Sequence, residues 1–222
     1  MRESFLDNII TPPSSHSILP MKIFVFDTET TGFINKKNPS LDAQPKIVQF
    51  AGIMWTITEN GFQEEKQVNI LLNPQMPIPF AASQVHHIYD IDVRDAPKID
   101  EKIDEILSII NEADIIVGHN IEYDEQMILL ELKRVQKEYA YQPKQVVCTM
   151  KTSVDFCALQ GNGARFKYPK LWELHKKLFD EYFIWAHDAM TDVQATLRCF
   201  LQLVDKNVIE LQESKQEIMS LF

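Results

Sequence analysis

The sequence is poor in cysteine and has no long apolar run. Its three cysteines, Cys148, Cys157 and Cys199, cannot all pair with one another and show no C-x-x-C spacing, which predicts reduced thiols in a cytoplasmic protein. No stretch approaches the ~18 apolar residues of a membrane span. The first residues lack the charged-then-apolar pattern of a signal peptide, so we expect neither membrane insertion nor export.

Positive charge is also scarce, because 22 Lys and Arg residues face 32 Asp and Glu residues and the net charge is −10. Taken alone, this balance argues against binding to a polyanion such as nucleic acid. The charge is unevenly distributed, however. Residues 133–177 contain ten basic and three acidic side chains, with Phe166, Tyr168 and Trp172 among them. Such a stretch suits contact with a single nucleic-acid strand, and a solvated helix face is the alternative.

The length and composition predict one folded unit. A chain of 222 residues that is 45% apolar is long enough for one compact domain and short for two large ones. Closely spaced prolines predict a flexible tail over residues 1–20. We therefore predict a folded domain over residues 21–206 and a C-terminal helix or tail over residues 207–222.

The hydrophobic periodicity predicts an α/β protein with the element order βββαβαβα. A turn at Asn60-Gly61 is expected to join the second and third strands as an antiparallel hairpin. The predicted strands are 22–26, 47–58, 62–72, 114–118 and 145–148, and the predicted helices are 80–87, 99–110, 121–139, 150–159, 170–179 and 188–204.

Two acidic side chains, Asp27 and Glu29, follow the first predicted strand. Because side chains alternate along an extended backbone, a spacing of two residues places both carboxylates on the same face. Neighbouring anions repel each other unless a cation or a shared proton compensates, and oxygen ligands favour hard ions such as Mg²⁺ or Mn²⁺. An isolated pair of this kind is more often two solvated turn residues.

A second polar group, His119, Asn120 and Asp124, lies where a predicted strand meets a helix. We predict Asn120 as the helix N-cap, whose side chain accepts a hydrogen bond from the first free amides. Asp124 falls in the first helical turn, where the helix dipole favours a negative charge. On its own, an aspartate at such a place is more often a surface residue than a ligand.

A third group, His187, Asp188 and Asp192, opens the last predicted helix. Asp188 is predicted as the N-cap of this helix, and Asp192 lies about one turn further along. His187 precedes the helix, so it is free to approach from the loop. A lone histidine there is more often structural than functional.

Taken together, the three groups resemble the motifs of the DEDD exonucleases, in the DnaQ-like branch typified by the epsilon proofreading subunit of bacterial DNA polymerase III and by ribonuclease T. The third motif is similar to that of the histidine branch, termed DEDDh, rather than to that of the tyrosine branch. The matching residues are Asp27, Glu29, Thr30, Thr31 and Gly32 for D-x-E-T-T-G, His119, Asn120 and Asp124 for H-N-x-x-x-D, and His187 and Asp192 for H-x-x-x-x-D.

This resemblance implies a ribonuclease H-like fold, with a five-stranded mixed sheet flanked by helices on both sides. It also implies a 3′–5′ exonuclease that releases nucleoside 5′-monophosphates. Two divalent cations, Mg²⁺ or Mn²⁺, are the implied cofactors, with Asp27, Glu29, Asp124 and Asp192 as their ligands. His187 is implied as the general base for the attacking water, and the near-neutral titration of imidazole suits that role.

The resemblance extends to residues that contact the substrate. Residues 85–88 read V-H-H-I, similar to the V-H-G-I of the family, with His87 in the place of the usual glycine. Phe33, Phe166 and Tyr168 are candidates for stacking on bases, and ordinary core packing is the alternative for each. The implied contacts to the terminal nucleotide are Thr30, Thr31, Gly32, His86 and Asn120.

DNA proofreading or repair is the predicted role, with DNA favoured over RNA as the substrate. RNA 3′-end trimming of the ribonuclease T kind is an alternative, because pocket shape rather than a motif reads a 2′-hydroxyl. A non-catalytic subunit associated with a polymerase or clamp is a further alternative. A DNA polymerase is a candidate partner. Residues from Gln216 to Phe222 imperfectly resemble a bacterial sliding-clamp-binding peptide, and packing onto the core is the alternative for them.

Overall fold

The computed structural model describes residues 20–58, 61–163, 165–181 and 188–211. The predicted tail lies outside these ranges except for Pro20, and so do the candidate clamp-binding residues 216–222 and His187. No helix in the described ranges is long and apolar enough to span a membrane.

Five strands form one mixed sheet in the described part of the chain, as predicted. They are β1 Met21–Thr30, β2 Ile47–Thr58, β3 Gly61–Leu71, β4 Ile115–Gly118 and β5 Val146–Cys148. Their order across the sheet is β3-β2-β1-β4-β5. Strand β2 pairs antiparallel with both β1 and β3, whereas β4 is parallel to β1 and to β5.

The helices of the described residues follow the predicted order, with an additional short helix before α3. They are α1 Phe80–His86, α2 Asp90–Val93, α3 Ile99–Glu112, α4 Ile121–Arg134, α5 Thr149–Thr152, α6 Val154–Cys157, α7 Leu171–Phe179 and α8 Ala189–Asp205. Short 3₁₀ turns are found at Leu41–Ala43 and Glu138–Ala140.

Two predicted helices differ from the structure in their extent. The predicted helix 121–139 ends as α4 at Arg134, because Gln136 has a left-handed backbone with φ of 59° that cannot continue a right-handed helix. The predicted helix 150–159 is divided into α5 and α6 at Ser153, whose hydroxyl donates to the Thr149 carbonyl at 2.6 Å. Serine bonds of this kind compete with the helical backbone pattern and bend it.

Apolar side chains alternate along β1 and build a core on each face of the sheet. Ile23 and Val25 point to one face and share a core with Phe200 of α8. Phe24 and Phe26 point to the other face, where they share a core with α3 and α4. Because helices cover both faces, the predicted arrangement of a sheet between two helical layers is confirmed.

Strand β1 is longer than predicted and carries the acidic pair within it. The sequence pattern predicts a strand that ends at Phe26, but the pairing with β2 continues through Asp27 opposite Ala51 and Glu29 opposite Gln49. The ladder extends this far because β2 is buried and extended along the same stretch. The two carboxylates therefore lie on a rigid strand, near the end of the sheet at which the parallel strand β4 also ends.

Candidate active site

Three carboxylates from two elements converge near the C-terminal end of β1. Asp27 and Glu29 lie on the β1 face that is covered by α8, as the alternation of side chains requires. Asp192 comes from the first turn of α8. One oxygen atom of each carboxylate lies within 4.8 Å of those of the other two. The structure thus brings three of the four acids predicted as metal ligands into one group, which we call the carboxylate cluster.

Asp124, the fourth predicted ligand, lies in the first turn of α4 and outside the carboxylate cluster. It is 3% exposed, so the alternative of a surface residue is wrong. Asp124 Oδ1 accepts hydrogen bonds from the Thr28 amide at 3.0 Å and from the Thr28 hydroxyl at 2.6 Å. Because Thr28 lies between Asp27 and Glu29 on β1, these bonds hold the fourth acid beside the cluster.

Burial and mutual repulsion make these carboxyl groups difficult to ionise. Burial, followed by repulsion from Asp124, Glu29 and Asp192, raises the pKa of Asp27 well above its usual range. Burial, followed by repulsion from Asp192 and Asp124, raises the pKa of Glu29 to about 8. Burial also raises the pKa of Asp124 to about 7, against the opposing effect of the hydrogen bonds from Thr28.

The donor set fits a divalent cation. Its ligand atoms are all carboxylate oxygens, the type that hard ions such as Mg²⁺ and Mn²⁺ prefer. A nearby cation would offset the repulsion that raises these pKa values and would favour the ionised form of each acid. The cluster therefore has the chemistry expected of the predicted cofactor site.

Without divalent cations, we expect the protein to become less stable as the pH rises from about 5 to about 9. Glu29 and Asp124 hold a proton more tightly in the folded state than in the unfolded chain, where carboxyl groups titrate near pH ~4. Their stabilising contribution is complete below that pH and is lost as the pH rises through about 7 and about 8. Melting curves recorded in EDTA across this range measure the decline.

Added Mg²⁺ is expected to raise the melting temperature most at high pH, since a cation binds the ionised carboxylates. A melting temperature in EDTA that does not change between about pH 5 and about pH 9 would contradict the prediction.

The start of α8 is fixed by the N-cap predicted at Asp188. Asp188 Oδ2 accepts hydrogen bonds from the amide and the hydroxyl of Thr191, both at 3.1 Å. The Asp192 amide donates to the Asp188 carbonyl at 3.0 Å. These bonds form the helical turn that carries Asp192 into the cluster. His187, the predicted general base, immediately precedes this turn in the sequence and lies outside the described residues.

The T-T-G residues of the first motif stabilise the loop that follows β1. Thr30 Oγ1 donates to the Gly32 carbonyl at 2.9 Å and lies 2.8 Å from the Tyr123 hydroxyl. The Thr31 amide donates to the Lys46 carbonyl, and the Thr31 hydroxyl accepts from the Lys46 amide, each at 2.9 Å. The two threonine hydroxyls are therefore engaged within the protein, and contact of Thr30, Thr31 and Gly32 with substrate stays a prediction.

The N-cap predicted at Asn120 is confirmed in position, but the predicted capping bond from its side chain is wrong. Asn120 stands at the N-cap position of α4, but its backbone is left-handed, with φ of 70°, and its side chain makes no capping hydrogen bond within the described residues. Asparagine tolerates this conformation better than most residues. His119 joins the end of β4 to a later loop, because its ring nitrogens lie 3.0 Å from Thr149 Oγ1 and 3.0 Å from the Pro169 carbonyl. Burial lowers the pKa of His119 to about 4.

The V-H-H-I segment forms the end of α1. His86 is buried there, and its Nδ1 accepts a hydrogen bond from the Ile88 amide at 3.0 Å. His87 caps the helix in the left-handed conformation, with φ of 58°. Glycine suits that conformation best, which gives a physical reason for the glycine of the family pattern. Little of the His86 ring is accessible, and its contact with a nucleotide stays a prediction.

A family model described as exonuclease, RNase_T, matches residues 24–200 and thus includes all three motifs. The chain belongs to the DnaQ-like exonuclease family. This result confirms the resemblance drawn from the motifs, and the family is one of nucleic-acid exonucleases.

Individual relatives of this exonuclease domain share low sequence identity with it. A PolC-type DNA polymerase III from Caldanaerobacter subterraneus subsp. tengcongensis is 24% identical over 201 residues, which cover 89% of this chain and 12% of the polymerase. Exonuclease X in complex with 5′-overhanging duplex DNA has a TM-score of 0.55 and 19% identity, covering 86% of this chain and 96% of that one. Escherichia coli exonuclease I in complex with a dA16 oligonucleotide has a TM-score of 0.64 and 20% identity, covering 85% and 42%. These structures confirm the ribonuclease H-like fold.

The exonuclease domain exposes the aromatic side chains that were considered for stacking. Phe33 follows the T-T-G residues, is 91% exposed and meets the Tyr123 ring edge-on, with 6.4 Å between ring centroids. Phe166 and Tyr168 are also exposed. The alternative of core packing is therefore wrong for all three residues.

The basic stretch at residues 133–177 is more nearly neutral in the folded domain than in the linear sequence. Five of its ten cations form ion pairs, and four of the acidic partners come from outside the stretch, so folding supplies negative charge that a linear count omits. Of the three cations beside Phe166 and Tyr168, Lys167 is paired, whereas Arg165 and Lys170 form no ion pair with a described residue. The pairs are Arg134 with Glu131, Lys137 with Asp104, Lys144 with Asp114, Lys151 with Glu122, and Lys167 with Glu173.

Sequence reasoning missed three residues that hold the site together. Thr28 binds Asp124, the Tyr123 hydroxyl donates to the Gly32 carbonyl at 2.7 Å, and Gln49 binds the start of α8. Gln49 left a trace in the sequence, since it is a lone amide in the apolar run of β2. Its partner Asp188 is 139 residues away, so no local pattern could connect the two.

Proposed function

We propose that this domain is a metal-dependent 3′–5′ exonuclease of the DEDDh type, which releases nucleoside 5′-monophosphates from the 3′ end of DNA. The carboxylate cluster carries the proposal, because Asp27, Glu29 and Asp192 meet within 4.8 Å and burial raises the pKa of both Asp27 and Glu29. Buried like charges cost stability, so a cluster of this kind suggests a purpose other than folding. Membership in the exonuclease family connects it with phosphodiester hydrolysis.

Asp27, Glu29 and Asp192 are the proposed ligands of two divalent cations, Mg²⁺ or Mn²⁺, with Asp124 as the fourth acid. When bound, such cations neutralise charge on the phosphoryl oxygens, favour deprotonation of the attacking water and stabilise the leaving 3′ oxygen. The protein contributes rigid placement of the acids. The ladder of β1, the first turn of α8 and the two hydrogen bonds from Thr28 provide it.

His187 is the proposed general base that takes the proton from the attacking water, since imidazole titrates near neutral pH. Replacing His187 by alanine is expected to lower turnover about 10²–10⁴-fold, the range of general acid–base catalysis. Mn²⁺ affinity is expected to stay unchanged, because all four acids remain. Turnover numbers and Mn²⁺ titration calorimetry on the same preparations measure both effects. A variant with undiminished turnover would exclude this role.

DNA is the proposed substrate because the relatives are named for DNA. One is a DNA polymerase III, one is in complex with 5′-overhanging duplex DNA, and one is in complex with a dA16 oligonucleotide. A role in proofreading or repair rests on the resemblance of the three motifs to those of the epsilon proofreading subunit. RNA 3′-end trimming stays the alternative within the enzyme class. A non-catalytic scaffold is disfavoured, since a scaffold does not need a cluster of partly buried acids.

A single-stranded 3′ end fits the exposed side chains of residues 165–168 and Lys170. The contact of His119 with the Pro169 carbonyl holds this segment beside the C-terminal end of β4, at the same end of the sheet as the acids. Phe166 and Tyr168 offer faces for stacking on bases, and Arg165 and Lys170 offer charge for the backbone phosphates.

A DNA polymerase is a proposed partner on the basis of the PolC-type relative, of which this chain covers 12%. Binding to a sliding clamp through residues 216–222 stays a prediction from the sequence, because that segment lies outside the described residues. A cytoplasmic location is likewise a prediction from the sequence.

Digestion of DNA and RNA strands of equal sequence tests the proposed function. The strands carry a 5′ label and either a matched or a mismatched 3′ end, and Mg²⁺ or EDTA is present. We expect progressive shortening of DNA with release of nucleoside 5′-monophosphates in Mg²⁺ and no cleavage in EDTA. Faster digestion of RNA than of DNA would replace proofreading by RNA trimming. The absence of digestion for every substrate would overturn the exonuclease proposal and favour the non-catalytic alternative.

A further inference from the structure

Gln49 is a buried amide beside the carboxylate cluster. It lies in β2 directly opposite Glu29 of β1 in the antiparallel register, so the two side chains point to the same face of the sheet. Gln49 is 4% exposed. A buried amide is stabilised only when its donors and acceptor are satisfied, and its partners are therefore informative.

Gln49 uses both of its amide donors and its acceptor oxygen on two neighbouring elements. Its Oε1 accepts from the Ala189 amide at 3.2 Å, and its Nε2 donates to Asp188 Oδ1 at 2.9 Å and to Asn69 Oδ1 at 3.0 Å. The orientation of the amide is unambiguous, since a backbone N–H can only donate and must face Oε1. One side chain of β2 thus binds the N-cap and the first residue of α8.

These bonds complete a closed path through the site. Gln49 is paired with Glu29 across the sheet and binds Asp188, and the Asp188 carbonyl accepts from the Asp192 amide at 3.0 Å. Asp192 in turn meets Glu29 within the carboxylate cluster. Gln49 therefore holds the end of α8 that determines where Asp192 lies relative to β1.

We infer that Gln49 is a positioning residue, which places the first turn of α8 so that Asp192 and Glu29 can bind the same divalent cation. This inference rests on the proposed function. Buried apolar residues hold α8 independently of Gln49, among them Ala189 and Met190 in the first turn and Val193 and Phe200 beyond it. Loss of the Gln49 bonds is consequently expected to shift the first turn without unfolding the helix. The expected loss is in cation affinity and turnover, with a smaller loss in stability.

Substitutions at Gln49 and Asp188 test this inference in the full chain. Gln49→Ala is expected to raise the dissociation constant of Mn²⁺ about tenfold and to lower kcat by a similar factor, as for other residues that orient metal ligands, with KM little changed. Gln49→Glu is expected to be more harmful, because it sets a second carboxylate against Asp188. Calorimetric titration with Mn²⁺ measures the affinity without any need for turnover.

The double variant Gln49→Glu with Asp188→Asn provides the rescue. The asparagine introduced at the N-cap can donate through Nδ2 to the carboxylate introduced on β2 and still accept the Thr191 amide through Oδ1. The second oxygen of that carboxylate accepts the Ala189 amide. Asn69 loses the hydrogen bond from Gln49 Nε2, but its own amide can turn and donate through Nδ2 to the new carboxylate. Mn²⁺ affinity and kcat are expected to return to within about threefold of the wild type, since each group again has a partner. Two variants with opposite expected outcomes keep the test decisive if Gln49→Ala does not fold.

Thr56→Val is the matched control. Thr56 is a buried polar residue of the same strand, and its hydroxyl donates to Glu65 far from the cluster. This variant is expected to lose stability and to keep wild-type Mn²⁺ affinity and kcat. Wild-type Mn²⁺ affinity and kcat in Gln49→Ala, or a double variant no better than Gln49→Glu, would overturn the inference. If the wild-type protein digests no substrate, the proposed function fails, and the Mn²⁺ titrations still decide the role of Gln49.

Discussion

Asp192→Asn is expected to lower the exonuclease rate about 10²–10³-fold and, at the same time, to raise the melting temperature in EDTA. The rate falls because the substitution removes one of three anionic oxygens that lie within 4.8 Å of one another, and with it electrostatic stabilisation of the reaction. The melting temperature rises because Asp192 is the largest source of the repulsion that raises the pKa of Glu29. A domain of this size gains about 2–4 °C for each kcal/mol of added stability.

The opposite signs of these two effects distinguish a functional acid from a structural one. Release of nucleoside 5′-monophosphates in Mg²⁺ and melting curves in EDTA at about pH 8 measure them. Asp205→Asn is the matched control, because Asp205 is an exposed aspartate at the other end of α8. We expect this control to change neither quantity. An Asp192→Asn variant that keeps its rate, or that melts lower than the wild type in EDTA, would refute the assignment.

The sheet was the most predictable part of the fold, because alternating and continuous apolar runs are local patterns. Strand β2 begins and ends where the pattern predicts, and β3 is displaced by one residue. The end of β1 was missed because Asp27 and Glu29 are polar, and polarity indicates a turn when the partner strand is unknown. The pairing of β1 with β2 continues the strand through them, and that pairing is a property of the tertiary structure.

The helices were less predictable where single side chains interrupt them. Ser153 divides a helix that periodicity predicts as continuous, because its hydroxyl binds the Thr149 carbonyl. Asn120 was predicted to cap α4 through its side chain, and its left-handed backbone contributes the turn instead. In both places the residue can adopt two local conformations, and the packing of the segments around it decides between them. Composition does not distinguish the two conformations.

The acids of the site could be identified from the motifs, whereas their supports could not. Asp27, Glu29 and Asp192 are brought together as the resemblance implies. Thr28 and Gln49 hold their neighbours through bonds that span 96 and 139 residues of sequence. The net charge of −10 was similarly incomplete as a guide. Its meaning depends on which acids are buried together and which neutralise a cation, and only the fold determines that.

A buried ion pair holds the loop that follows strand β1. Arg134 Nη1 lies 2.9 Å from Oε1 of Glu131, one turn earlier on α4, and Glu131 is fully buried. Arg134 Nη2 donates to the carbonyls of Leu41, Gln44 and Pro45 at 3.0–3.1 Å. Glu131 Oε1 also accepts from the Ile47 amide at 3.1 Å, where β2 begins. The pair therefore joins α4 to the segment that connects β1 and β2.

Arg134→Met is expected to lower the free energy of unfolding by about 3–5 kcal/mol, because it leaves the Glu131 charge buried without its cation and three carbonyls without a donor. Adding Glu131→Gln removes the uncompensated charge, and a glutamine oxygen can still accept the Ile47 amide. We expect the double variant to recover more than half of the loss, as measured by urea unfolding.

Lys102→Met is the matched control, since Lys102 and Glu105 form an exposed ion pair with the same spacing on α3. That substitution is expected to cost less than about 1 kcal/mol. Equal losses in Arg134→Met and Lys102→Met would show that the buried pair does not hold the loop.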